Sequence, residues 1–339
     1  MIRQSARFVN SGLFSVAALV CLSMAALQAS AQQQVPPAPA QQPSAAPPSA
    51  PAPSGPPKFP APDPANFTAS SPSKDVVNAF LHASWGYDDT RMWQVQGIAK
   101  TSVEGIAKVT VFIGDKTGKQ KPAALECFAL QDGKHAIAGS DIVPFGENPF
   151  AEYRAVLQTS ADGPYRGAAA KDLELVEFAD FQCPHCKDAQ ANMEKLAVDF
   201  PKARIVFQVF PLEKIHPSAK RAASYGYCVT KQGGSDAFFT FAGAVFDGQD
   251  GLATPDGATL TLNSAVTKAG LDPAKIAACA GTPATSDAVE ASVKLALDVN
   301  INSTPTLMVN GRQVPIAGVP YDTLKQVVTF QAKLDGVIQ

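Results

Sequence analysis

The sequence lacks a surplus of charge of either sign. Against 28 Lys and Arg stand 30 Asp and Glu, for a formal net charge of −2. With no basic excess, nucleic acid is not an expected partner. Nor is a strongly charged protein surface. Histidine is scarce, with four residues and no ligand spacing among them. A second C-x-x-C is missing, so the four ligands of a structural zinc site cannot be assembled from paired motifs and no metal is expected. Beyond the N-terminus no stretch is apolar enough to cross a bilayer. Cysteine is also sparse: six in 339 residues cannot staple the fold, so a hydrophobic core must hold it.

What is present begins with a targeting pattern. Arg3 and Arg7 precede an apolar run from Leu13 to Leu27 and then Ala29-Ser30-Ala31, a small-x-small cleavage signal. Residues 1–31 therefore read as a signal peptide. The run falls short of the ~20 residues of a comfortable span, although retention as a membrane tether is the alternative. Cys21 follows Val20, which is larger than a lipid-attachment site prefers. Export places the other cysteines, Cys127, Cys183, Cys186, Cys228 and Cys279, where disulfides persist. The periplasm is the expected compartment. The odd count leaves at least one thiol unpaired within the chain.

Residues 32–73 hold half of the 28 prolines, with Lys58 and Asp63 their only charges. Such a Pro/Ala-rich segment is expected to be a disordered linker. Residues 75–159 read as a small α+β domain. Asp75 to Ser84 is an amphipathic helix. Val95–Ile98, Ala107–Ile113, Ala124–Leu130 and His135–Ala138 are strands, the last entered through an Asp132-Gly133 turn. Residues 163–171 are expected to link this unit to a second domain over 172–339. There, Leu173–Phe178 is a strand, Pro184–Phe200 a helix and Arg204–Phe210 a strand. An Ala-rich helical stretch over 217–296 is broken at Gly233-Gly234 and at residues 247–256. Thr306–Val309, the turn Asn310-Gly311 and Gln313–Ala317 form a hairpin, and Pro320–Leu334 closes as a helix. This order describes an α/β fold, a mixed sheet covered by helices.

Cys183-Pro184-His185-Cys186 carries the chemistry. Cys183 sits where a strand gives way to a helix. Its thiolate would face unpaired N–H groups and the positive end of the helix dipole. Both lower a thiol pKa. Pro184 suits the first helical position, which needs no N–H. His185 adds a polar, potentially cationic neighbour. Cys186, three residues on, can close a disulfide with Cys183. Cys183 is then the nucleophile and Cys186 the resolving thiol, and the pair is itself the redox group, so no bound cofactor is expected.

The run Val176–Cys186, with Glu177, resembles the active-site strand, turn and helix start of the DsbA-like family of the thioredoxin fold. Ser303-Thr304-Pro305-Thr306 through Gly311 resembles that family's cis-proline loop and hairpin. The resemblance spans about residues 172–334 and implies a thioredoxin-like fold with a helical insertion. It implies a cis Pro305, a Thr304 that offers its backbone to substrate, and a buried Glu177 that relays the proton of Cys186; the alternative for Glu177 is an exposed strand carboxylate. It implies a structural disulfide between Cys228 and Cys279, against two buried free thiols. It implies unfolded or partly folded exported proteins as substrates and a membrane redox partner that regenerates the pair. A low-pKa Cys183 stabilises the reduced enzyme and favours disulfide donation. The first domain faintly resembles the dimerisation domains of periplasmic disulfide isomerases, which keeps open a homodimer that shuffles disulfides, and a tethered chaperone-like module remains a third reading.

Overall fold

A computed structural model describes residues 58–118 and 121–338. The expected signal peptide and the linker up to residue 57 lie outside the described residues. The described chain is built on two five-stranded sheets.

The first sheet runs in simple order through β1 (Arg91–Lys100), β2 (Ile106–Asp115), β3 (Ala123–Leu130), β4 (His135–Ala138) and β5 (Asp141–Pro144), each antiparallel to its neighbour. Strict alternation in β2 buries Ala107, Val109 and Val111. Helix α1 (Lys74–Trp85) covers that face with Val77 and Leu81. Its first turn is capped by Ser73, whose hydroxyl accepts from the Val76 N–H. The Asp132-Gly133 turn forms with Gly133 at φ 68° and with the Asp132 carboxylate accepting from the N–H groups of Lys134 and His135.

Residues 59–73, expected as part of a disordered linker, are instead ordered along the β1 edge. The Ala69 N–H donates to the Ile98 carbonyl at 3.0 Å, and Phe67 pairs with Ile98 in a parallel bridge. Phe67 and Ala69 pack on the small core, and Phe59 meets Phe112 with ring centroids 6.2 Å apart. An edge strand offers unpaired backbone groups, and this segment satisfies some of them. Composition averaged over the Pro-rich stretch hides the few side chains that anchor its end.

The second sheet has the order β10-β9-β7-β8-β6. β7 (Glu174–Ala179) and β8 (Arg204–Val209) are parallel, joined by the crossover helix α3 (Pro184–Asp199). β9 (Thr306–Val309) runs antiparallel to β7 and turns through Asn310-Gly311 into β10 (Arg312–Pro315). Gly311 has φ 87°, and a Cβ there would lie 2.2 Å from the Phe150 carbonyl oxygen, so the turn needs glycine twice over. One sheet face packs Leu175, Ile205 and Leu307 under α3 and α8 (Tyr321–Leu334). The other packs Val176, Phe178, Val206 and Met308. All six residues of β7 are buried, as a central parallel strand requires.

Two further expectations are corrected here. The first domain does not extend to residue 159: helix α2 (Ala151–Ser160) buries Leu157 against Val176 and Phe178 and so belongs to the second sheet. The stretch 163–171 is not a free linker. Its Tyr165–Gly167 is strand β6, antiparallel to β8. Three residues are too few to show a period in the sequence.

The insertion comprises α4 (Ala219–Asp247), α5 (Pro255–Lys268), α6 (Pro273–Ala280) and α7 (Pro283–Asp298). α4 kinks at Gly234, φ 75°. Each of the other three starts with Thr or Asp as cap and Pro at the first helical position. Arg312 joins the two halves. Its buried guanidinium donates to the Ala83 and Ser84 carbonyls at the C-terminus of α1 and, through Nε, to Gln331 at 2.9 Å. Phe150 lies under it, 4.4 Å from ring centroid to Cζ.

Candidate active site

β7 ends at Ala179, the chain turns through Asp180–Gln182, and Cys183 caps α3 with extended φ and ψ of −76° and 120°. Pro184 occupies the first helical position. Both cysteine sulfurs are free, so the structure holds the dithiol. Cys183 is 5% exposed and Cys186 fully buried.

The two thiols are driven in opposite directions. The Cys186 thiol, by donating to the Cys183 sulfur, does most to bring Cys183 down from 9.0 to about 5. The Thr304 side chain and the backbone N–H groups of Cys186 and His185 add to this, while burial works against it. Burial first, and the neighbouring Cys183 second, push Cys186 far above the ordinary thiol range. The Asp180 N–H reaches the Cys186 sulfur at 3.4 Å. By contrast Cys127, half-buried on β3 and away from any helix start, is raised to about 11 by burial.

The Thr304-Pro305 bond is cis, and the Cys183 thiol donates to the Thr304 carbonyl at 3.6 Å. The fold thus brings together Cys183, Cys186, Thr304 and Pro305, separated by more than a hundred residues. The His185 imidazole is mostly exposed and faces Asp188 at 3.9 Å. Its contribution to Cys183 is the backbone N–H. Glu177 is buried at 2% exposure rather than exposed on the strand. Burial raises its carboxyl to about 7, opposed by Gln190, whose amide donates to it at 2.8 Å. The same amide donates to the Cys186 carbonyl at 3.1 Å. Cys228 and Cys279 are joined by a disulfide between α4 and α6, with Cα atoms 6.0 Å apart.

Several residues that hold the site escape sequence reasoning. The buried Asp180 carboxylate accepts from the N–H groups of Gln182 and Leu212 and pairs with His216, each at 2.8 Å. In sequence, His216-Pro217 resembles a recurrent family feature and reads as a helix start rather than a catalytic base. Gln249, a single glutamine far along the chain, carries no sequence signal at all, yet its side-chain amide donates to the carbonyls of Phe181 and Cys183 at 2.8 and 2.9 Å.

A family model described as Thioredoxin matches residues 159–330. Among curated proteins, the chain is 29% identical over 148 residues to Na(+)/H(+) antiporter NhaA 3 of Salinispora tropica, covering 44% of this chain and 22% of that one. It is 31% identical over 154 residues to Na(+)/H(+) antiporter NhaA 1 of Mycolicibacterium vanbaalenii, covering 43% and 23%. The chain therefore spans about a fifth of the length of these relatives. Among solved structures, a thioredoxin-like oxidoreductase from Silicibacter pomeroyi superposes with a TM-score of 0.45 at 24% identity, over 53% of this chain and 98% of that one. BdbD from Bacillus subtilis does so with a TM-score of 0.43 at 22% identity, over 50% and 93%. With the family model matching just over half of its residues, the chain belongs to the thioredoxin family.

Proposed function

We propose that the protein is an exported thiol–disulfide oxidoreductase that introduces disulfides into other exported proteins. The observation that carries this reading is the asymmetry of the pair: one thiol lowered to about 5 at a helix start, the other buried and raised, both beside Thr304-Pro305. In the oxidised enzyme a substrate thiolate attacks the Cys183 sulfur. The Cys183–Cys186 bond breaks, and Cys186 leaves with the electron pair and takes up a proton. Glu177, whose carboxyl titrates near neutrality, is the proposed source of that proton. A second substrate thiolate then attacks the substrate sulfur of the mixed disulfide and expels Cys183, the better leaving group because of its low pKa. The substrate gains one disulfide, and the enzyme ends as Cys183 thiolate and Cys186 thiol.

The Thr304 backbone lies where an extended segment of an unfolded substrate can add to it as a strand. The redox group is the cysteine pair, with no bound cofactor in the scheme, and a membrane oxidant regenerates the disulfide. Export rests on the residue pattern of positions 1–31; no described helix is long and apolar enough to cross a membrane. The test is oxidative folding of a reduced, unfolded protein with a stoichiometric amount of the oxidised enzyme. Loss of substrate thiols, abolished in Cys183→Ser, supports the reading. Reshuffling of a scrambled substrate by a dimer, without net thiol loss, would replace it with isomerisation.

A further inference from the structure

The loop before Cys183 is gripped from the helical insertion. Gln249 lies in the short 3-10 turn Gln249–Ala253 between α4 and α5 and is 8% exposed. Its Nε2 spans two carbonyls of the redox loop, those of Phe181 and Cys183. The Cys183 carbonyl also accepts from the N–H groups of Cys186 and Lys187, at 3.1 and 3.3 Å, so Gln249 acts on the same oxygen that starts the α3 hydrogen-bond ladder. Gln182 is held in parallel: its amide oxygen accepts from the Ser218 N–H at 2.8 Å, and its Nε2 donates to the Leu252 carbonyl at 3.2 Å. The Phe181 ring is fixed among Phe207, Phe238, Phe241 and Phe246.

We propose that Gln249 is a positioning residue for the redox pair. By fixing the Phe181–Gln182 and Cys183–Pro184 peptide groups, it keeps the Cys183 sulfur against the N–H groups of His185 and Cys186. Without that amide, the Phe181 and Cys183 carbonyls lose a buried donor, and the loop turns to recover one. The N–H groups that stabilise the thiolate then lose their aim, and the disulfide becomes a weaker oxidant. This rests on the exchange activity proposed above.

The test compares wild type, Gln249→Met, Gln249→His and Thr254→Ala in glutathione redox buffers, together with ultraviolet titration of the Cys183 thiolate. Gln249→Met has similar length and no donor. It is expected to shift the equilibrium with glutathione about 3- to 10-fold toward the oxidised enzyme, the worth of a typical hydrogen bond, and to raise the thiolate midpoint. A tenfold shift is about 30 mV for this two-electron couple. Gln249→His keeps one N–H donor and should fall between. Thr254→Ala removes the cap of α5, which accepts from the Gly257 N–H. It should lower the melting temperature and leave the potential unchanged. A Gln249→Met protein with the wild-type equilibrium and midpoint overturns the role of Gln249 alone. So does a Thr254→Ala protein whose potential shifts equally, since general loosening would then explain both. A wild-type protein that does not exchange with glutathione overturns the oxidoreductase reading and this inference with it.

Discussion

Raising the pH of the reduced protein should ionise Cys183 long before any ordinary thiol. Its value falls from 9.0 to about 5, led by the hydrogen bond from Cys186. Because the folded value lies below the unfolded one, the thiolate stabilises the reduced fold fully above pH 9, and that stability is lost as pH falls through about 5. The drop corresponds to a ceiling of about 5 kcal/mol. Solvent reaches the face of the site where substrate must enter, so about half of that, ~2–3 kcal/mol, is a fair expectation. The oxidised protein has no such thiolate, and its stability should not respond in this window through Cys183. The reduction potential must follow the same protonation. Above about pH 5 two electrons enter with one proton, giving a slope of about 30 mV per pH unit, and below it with two protons, giving about 60 mV. Thiolate absorbance and alkylation rates read the ionisation, and glutathione equilibria read the slope. A thiolate midpoint at or above about pH 8 in the reduced protein, near the value of a free cysteine, would refute the reasoning.

The buried disulfide, acid and cation make separate predictions. Replacing Cys228 and Cys279 together by alanine opens a loop spanning 51 residues and should cost ~4 kcal/mol in urea unfolding without reductant; a loss under ~1 kcal/mol would contradict it. Glu177 has a folded value raised from 4.5 to about 7, so its burial costs nothing below pH 4.5 and reaches its full cost above pH 7. Glu177→Gln should therefore gain up to ~3 kcal/mol over wild type above pH 7 and little in acid, while formation of the mixed disulfide, in which Cys186 leaves and takes up a proton, slows. Arg312→Met should cost about 1–3 kcal/mol for each buried acceptor it leaves without a donor, the Ala83 and Ser84 carbonyls and Gln331; an unchanged melting temperature would show that the two sheets are not joined through it.

The redox chemistry was legible where the reacting groups are neighbours in sequence. Cys183, Pro184 and Cys186 are adjacent, and the apolar run of β7 ahead of them marks a buried strand entering a helix. The hairpin after Pro305 was legible through Asn310-Gly311, whose positive φ values of 47° and 87° are what that dipeptide permits. Glu177 could be read as buried only through resemblance, since a lone carboxylate in a strand has no local signature. The supports of the site were not legible. Gln249 and His216 act across long sequence separations through single hydrogen bonds, and no local pattern encodes them. The boundary between the sheets was misplaced for a related reason: α2 and β6 are short, and only packing against Val176 and Val206 decides which sheet they join.

The most direct test is the equilibrium of the Cys183–Cys186 pair with glutathione at neutral pH, read by alkylation and mass after acid quench. A thiolate held at about 5 predicts an oxidising pair, with a potential above about −180 mV and alkylation of Cys183 well before Cys186. A potential below about −270 mV, or equal reactivity of the two thiols, would contradict disulfide donation by this site.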